Sequence, residues 1–458
     1  MTEGDAIFAR LGRFAVETRC ERLPPQIVEK AKALLLYGLA VGAASLRAPQ
    51  PGQAARAIDR ESPDGGAGAT RLFDRRQLDY ASAAFCNSVL MHARVQDDAH
   101  PCGHLGVVVI PVALACAERF GAPGGDLLAA LVAGYEVGLR IGRDHAADLS
   151  RRGFRTTPAY GVFAAAACGA RAMKLDANAC ANALSLAANA AAGLREWSDA
   201  GTEEGPFQVG LAARNGLLAT DMAAAGAEGA PSALTGRAGF FRAYGTDSDR
   251  YARRVCQALG EEFELEHITY KPYPICQFLT GVVRGTIELS RRAGGRRPRR
   301  IAIHMNPFEA DFVGIRNAGP FSSFPQTLMS APFCAALGWA RRAVTFDGLH
   351  DFDDERVLAL VRTIEVISDP ARARYSSRLG VTLEDGTLLE WEESEGADAY
   401  RLTWQRAMEM NAQLCAEVGI SERSMRALAA AVDGIVDAAD TQALMAAAGA
   451  CAAEASKR

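Results

Sequence analysis

The 458-residue chain lacks any stretch that could cross a bilayer. Its longest apolar runs, Leu105 to Ala117 and Leu34 to Ala44, fall short of the ~20 residues a membrane helix needs. The opening MTEGDAIFARLGRF lacks a charged region followed by an apolar one, so no signal peptide is expected. Charge of one sign is also missing. With 50 Lys+Arg against 54 Asp+Glu the net charge is −4, and no global field recruits nucleic acid or an acidic membrane. The one basic cluster (Arg291-Arg292, Arg296-Arg297 and Arg299-Arg300) is broken by Gly294-Gly295 and Pro298 and reads as a solvated loop. The eleven cysteines show no CxxC spacing, and Cys168, Cys180 and Cys334 sit in apolar helical contexts. That pattern belongs to buried thiols in a reducing compartment, so a cytoplasmic protein is expected. No GxGxxG or GxxxxGKS/T motif stands in a strand-turn-helix context, which argues against a nucleotide or dinucleotide. No cofactor is expected.

Histidine is scarce, and its distribution is the most informative feature. Three of the seven histidines, His92, His100 and His104, fall within thirteen residues, with Asp97 and Asp98 between them. Imidazole gives and takes protons near neutral pH, and a neighbouring carboxylate orients and tunes it. Pro101 and Gly103 keep the segment out of regular helix, so its polar groups can converge rather than line one stripe. The segment reads as a proton-transfer site. A metal site at Asp97, His100 and His104 would need both rings on one helical face, and Pro101 and Gly103 disfavour that helix. Cys102 and Cys276 lie near these motifs without an activating partner, which disfavours a nucleophilic role.

The length suggests two or three domains. To about Glu264 the pattern is helical and rich in alanine and glycine. Pro24-Pro25 opens a helical run, and further helices are read over Asp126 to Arg143, Ala177 to Trp197 and Gly210 to Gly226. Gly134 and Gly138, four apart, suit a close helix approach. After Glu264 strands are predicted at Arg300-IAIHM and Arg362-TIEVIS. Ser377 to Glu392 reads as a hairpin, with a type I′ turn at Asp385-Gly386. Helices are predicted at Pro325 to Arg342 and Glu355 to Val361. From Arg401 the helical pattern returns, with Ser421 and Asp440 as caps. The expected fold is mainly α with an α+β second domain: a discontinuous all-helical domain over 1–264 and 396–458, with an α+β lid domain at 265–395.

The stretch ASAAFCNSVLMHARVQDDAHPCGHLGVVVIPVALACAE resembles the MmgE/PrpD family signature. GYEVGLRIGR, GLAARNGLLATDMAAAG, LTGRAGFFRAYG, YKPYPICQF and FPQTLMSAPFCAALGW agree with it in order. The resemblance covers most of the chain. It implies a helical domain built from both chain ends, an inserted α+β lid, a homodimer, and lyase or isomerase chemistry on small polycarboxylates without metal or organic cofactor. Dehydration, decarboxylation and epimerisation all occur among relatives. His104 then stands at the position of the family's acid/base, and Lys271 at that of a cleft lysine. Asp97 and Asp98 match the paired aspartates; adjacent carboxylates point apart, so one is expected in the cleft, with Asp97 preferred, and one on the scaffold. The resemblance thus makes His104, Lys271 and Asp97 the catalytic set. Arg155, Asp98, His100, Gln208 and Tyr273 are taken as substrate-binding. For His104 a structural histidine, and for Lys271 an exposed lysine, is the alternative role.

The chain also departs from the family pattern. Val95 replaces an aspartate, Gln96 a phenylalanine and Ala99 a threonine. Arg155 stands where relatives carry a site histidine, Gly205 where they carry a lysine, and Gln208 where they carry a histidine. An arginine cannot act as a base at physiological pH but suits a carboxylate, so Arg155 is expected to be a substrate anchor, with a substrate or reaction differing from the known ones. A non-catalytic metabolite- or partner-binding member is the alternative.

Overall fold

Helices rich in small residues dominate the computed structural model, which describes residues 6–62, 65–66 and 68–455. The chain divides into two compact units. The first comprises Met1–Leu194, Gly205–Ile268 and Leu402–Arg458, the second Arg195–Glu204 and Thr269–Arg401. The first is all but entirely helical; the second is α+β. No helix among the described residues is long and apolar enough to cross a membrane.

In the first unit the Gly106–Phe120, Gly124–Gly142, Thr156–Ala172 and Gly205–Ala224 helices form the centre. The first carries buried Val107 to Ala117 without a polar break, as an enclosed helix must. Gly134 and Gly138 let the Thr156–Ala172 helix approach. A Cβ on Gly138 would lie 2.8 Å from Ala164 Cβ and 2.7 Å from Leu105 Cδ1. The Trp404–Val418 helix packs on Pro25–Ala44, joining the two ends of the chain in one core.

Two expected domain boundaries move. The chain leaves the first unit after Ile268 and returns at Leu402, where buried Lys30 donates to both carbonyls, Ile268 O at 2.6 Å and Leu402 O at 2.7 Å. Segment 195–204 groups with the second unit. There Arg195 lies over the Phe312 ring at 3.9 Å, and a Cβ on Gly201 would meet Gln326 and Ser323. The helix read over Ala177 to Trp197 accordingly ends at Ala187, with a separate short helix at Glu196–Ala200.

The second unit holds a four-stranded sheet in the order Ile364–Ser368, Pro298–Met305, Arg378–Leu383, Leu388–Glu392. The first pair is parallel, with Ile303 opposite Val366, and the others are antiparallel. The hairpin departs from type I′. Gly386 has φ 85 while Asp385 stays out of the left-handed region, and Leu383 N bonds Thr387 O. A three-residue turn with a bulge results, supported by Asp385 Oδ1 accepting from Thr387 N. The helix expected over Pro325 to Arg342 breaks at Ser330, whose hydroxyl accepts from Phe333 N and starts the Ala331–Arg341 helix anew.

Because Ala164, Leu105 and the Tyr160 carbonyl leave no room at position 138, Gly138→Val should lower stability by about 1–3 kcal/mol, the range for overpacking. A urea midpoint shifted at unchanged m-value is the expected record.

Candidate active site

The Tyr80–His92 helix delivers His92 into a buried loop that runs to the start of the Gly106–Phe120 helix. The loop reverses at Val95, a β-branched residue at φ 55, a conformation such residues rarely adopt and that clusters at functional sites. Tyr37 donates its hydroxyl to Gln96 O, fixing the loop from the Pro25–Ala44 helix. Beyond it the paired aspartates diverge.

Asp98 turns toward the scaffold. Its oxygens accept from Gly106 N at 3.1 and 3.2 Å and from Tyr135 Oη at 3.1 Å. A carboxylate at a helix N-terminus satisfies an orphan N–H and meets the positive end of the dipole. A Cβ at position 106 would collide with Asp98 and Tyr135, so the close approach needs glycine there. Both carboxylate oxygens of Asp98, expected from sequence to bind substrate, thus accept from protein donors.

Asp97 turns the other way. Its Oδ2 lies 3.1 Å from His92 Nδ1 and 3.5 Å from His104 Nδ1. His104 Nδ1 also lies 2.7 Å from Asp98 O, a carbonyl that only accepts. The neutral ring therefore carries its proton on Nδ1, and Nε2 is the nitrogen able to take one up. The side chain of His104 is 23% exposed against 2% for His92 and 5% for His100. Of the three imidazoles, His104 is the one within reach of a small molecule. Thr157 Oγ1 accepts from its backbone N–H at 3.2 Å.

His100, expected from sequence to bind substrate, is held by protein groups at both ring nitrogens. Its Nδ1 accepts from Cys102 N at 3.1 Å and its Nε2 lies 3.5 Å from Glu264 Oε2. Burial lowers its pKa. Burial would raise Glu264, but hydrogen bonds from His100 and Arg143 outweigh it and hold the carboxyl at about 2, with Arg143 Nη1 at 2.6 Å. His100 braces the turn at 100–103, whose ends form a bridge.

Arg155 does not present a vacant fork. Nη1 donates to Gly205 O at 2.6 Å and to Gln208 Oε1 at 3.3 Å, and Nη2 meets His92 Nε2. The side chain is buried. The side chain expected to anchor substrate thus bonds to Gly205, Gln208 and His92. Gln208, expected from sequence to bind substrate, joins Arg155 to Leu194 O, the latter at 2.9 Å. His92 occupies the centre of this network. Its spacing of five residues from Asp97 was the available signal; Thr157 and Tyr135 carried none.

Lys271 and Tyr273 belong to the second unit. Lys271 is fully buried, and Tyr273 is partly buried, with its phenol raised by burial. Burial pushes Cys276 up to about 11, against the pull of Lys271 and Arg195, so it is a neutral thiol at pH 7. Burial likewise raises Cys102. No cluster of three or more His, Cys, Asp or Glu suited to a metal occurs among the described residues.

A family model described as the MmgE/PrpD N-terminal domain matches residues 9–251. That is more than half of the chain, and the chain belongs to the MmgE/PrpD family. It is 30% identical over 312 residues to a protein of Aspergillus oryzae named cis-aconitate decarboxylase-like protein oryM, covering 65% of this chain and 63% of that protein. To the cis-aconitate decarboxylase of Aspergillus terreus (strain NIH 2624 / FGSC A1156) it is 28% identical over 300 residues, 62% and 60% of the two chains. To that of Homo sapiens it is 32% identical over 202 residues, 42% and 40%. The matched region thus spans less than two thirds of each relative's own length, and at this identity the chain is a divergent member.

The depressed pKa of Glu264 has a defined consequence. Its ionised form is favoured by folding, so its stabilisation is present above the unfolded value near ~4.3 and is lost as pH falls toward about 2. Glu264→Gln should therefore be less stable than the parent at pH 7. The gap, followed by thermal melts, should close between about pH 4 and pH 2.

Proposed function

We propose that the chain is a lyase of the MmgE/PrpD type, a decarboxylase or dehydratase acting on a small carboxylate-bearing metabolite. Epimerisation is the isomerase variant of the same proton chemistry. The observation that carries the reading is the triad of His104, Asp97 and the Asp98 carbonyl: a partly exposed imidazole whose Nδ1 faces a carbonyl at 2.7 Å and a carboxylate at 3.5 Å. Such an arrangement holds one tautomer, and it stabilises the imidazolium that forms when Nε2 takes a proton. Family membership and relatives named cis-aconitate decarboxylase support the substrate class.

In this reading His104 removes or delivers the proton beside a substrate carboxylate, and Asp97 orients it and balances its charge. Lys271 is the second acid/base or the cation that meets developing negative charge; its role rests on the family resemblance. Arg155, His92 and Gln208 support the catalytic imidazole rather than grip the substrate. The same reading carries a homodimer, for which light scattering of the purified chain should give twice the 48.6 kDa chain mass.

His104→Gln should reduce turnover by about 10²–10⁴-fold, the usual worth of a positioned acid/base, with an unchanged circular dichroism spectrum. Solvent-deuterium exchange into a panel of di- and tricarboxylates, cis-aconitate among them, is the direct test. The parent should exchange a proton beside a carboxylate or release CO₂, and His104→Gln should do neither. Equal exchange by both proteins would remove His104 from the mechanism. No exchange by the parent across the panel would favour a binding protein.

A further inference from the structure

We propose that Arg155 is a positioning residue that locks His92 as the neutral Nδ1–H tautomer, and through it keeps Asp97 a charged acceptor against His104. The inference rests on the acid/base reading above and adds a device specific to this chain. A guanidinium has only N–H donors and stays charged. Since Arg155 Nη2 faces His92 Nε2, that nitrogen presents its lone pair, and the ring's single proton sits on Nδ1. The proton points at Asp97 Oδ2, 3.1 Å away. Protonating His92 at Nε2 would set N–H against N–H and cation against cation. The bond therefore runs from Arg155 to His92 to Asp97, with the carboxylate as terminal acceptor.

The same Asp97 oxygen is shared with His104, whose ring centroid is 6.2 Å from that of His92. Of the two imidazoles flanking this carboxylate, His92 is the one that Arg155 faces and His104 is the more exposed. A histidine at position 155, where the family pattern places one, would not impose this, because an imidazole nitrogen either donates or accepts according to tautomer.

The departures at 155 and 208 meet in one contact. Arg155 is seated by the Gly205 carbonyl and by Gln208 Oε1. An amide at 208, held from its other end on Leu194 O, offers the guanidinium an acceptor.

Long-range ¹H–¹⁵N correlation of the histidine rings in the full ¹⁵N-labelled chain at pH 7.5 reads the tautomer directly, without substrate. His92 should show a protonated Nδ1 and a bare Nε2. In Arg155→Met the ring should populate the other tautomer or the imidazolium, and kcat should fall at least about tenfold while KM changes less than about threefold. Arg155→Lys, which keeps a cationic donor, should restore most of the Nδ1–H form and part of kcat. A proton on Nε2 of His92 in the parent would overturn the proposal, whatever the variants do. So would an unaltered His92 ring in Arg155→Met, or a rise in KM at constant kcat, the signature of a substrate anchor. Either result leaves the role of His104 standing, whereas a chain without proton exchange on any carboxylate fails the functional reading and leaves the tautomer measurement valid.

Discussion

The candidate site depends on one hydrogen-bonded carboxylate, that of Asp98. By accepting from Gly106 N and Tyr135 Oη it ties the irregular loop to the N-terminus of the Gly106–Phe120 helix. With that side chain committed inward, its neighbour Asp97 is turned the opposite way, toward His92 and His104. The Asp98 carbonyl then sets the tautomer of His104. One residue thus serves as helix cap, loop anchor and orienting acceptor, and the position of the exposed imidazole follows from it.

Around that loop, several buried polar groups are paired, which offsets the cost of removing them from water. Glu264 is held by His100 and Arg143, and Gln96 by Tyr37 and Arg94. The Glu136–Arg140 pair illustrates the balance in a wholly buried setting. Burial pushes the Glu136 carboxyl up to about 7 against the pull of Arg140, and Arg140 donates to four carbonyls between Val255 and Glu262. Such networks hold the 255–265 segment against the helical core, so Glu264 arrives at His100 in a defined place.

Lys30 does comparable work where the chain crosses between units. Its ammonium joins Ile268 O to Leu402 O, and beyond that point Tyr270 N bonds Tyr400 O. The outgoing and returning strands are paired, which is why the divide falls at 268/269 and 401/402 rather than at the change in residue texture near Glu264.

Local pattern was enough to read several elements from the chain. Apolar periodicity marked the Gly124–Gly142 helix. Glu355–Val361 matches its expected bounds, and Ser421 caps its helix by accepting from Ser424 N. The ordered motifs were enough for the family. These features are legible because they rest on spacing within a few residues. What only the tertiary structure decided is which polar group faces which. Arg155 reaches His92 across 63 positions and Gln208 across 53, and nothing in the spacing of GFRTTP signals either partner. In the 93–105 loop there is no helical or strand period to say where a side chain points. The split of Asp97 from Asp98, the burial of His92 and His100, and the exposure of His104 were settled by packing. The physical reason is the same in each case: a buried donor must find an acceptor wherever the fold brings one, and sequence distance does not enter that requirement.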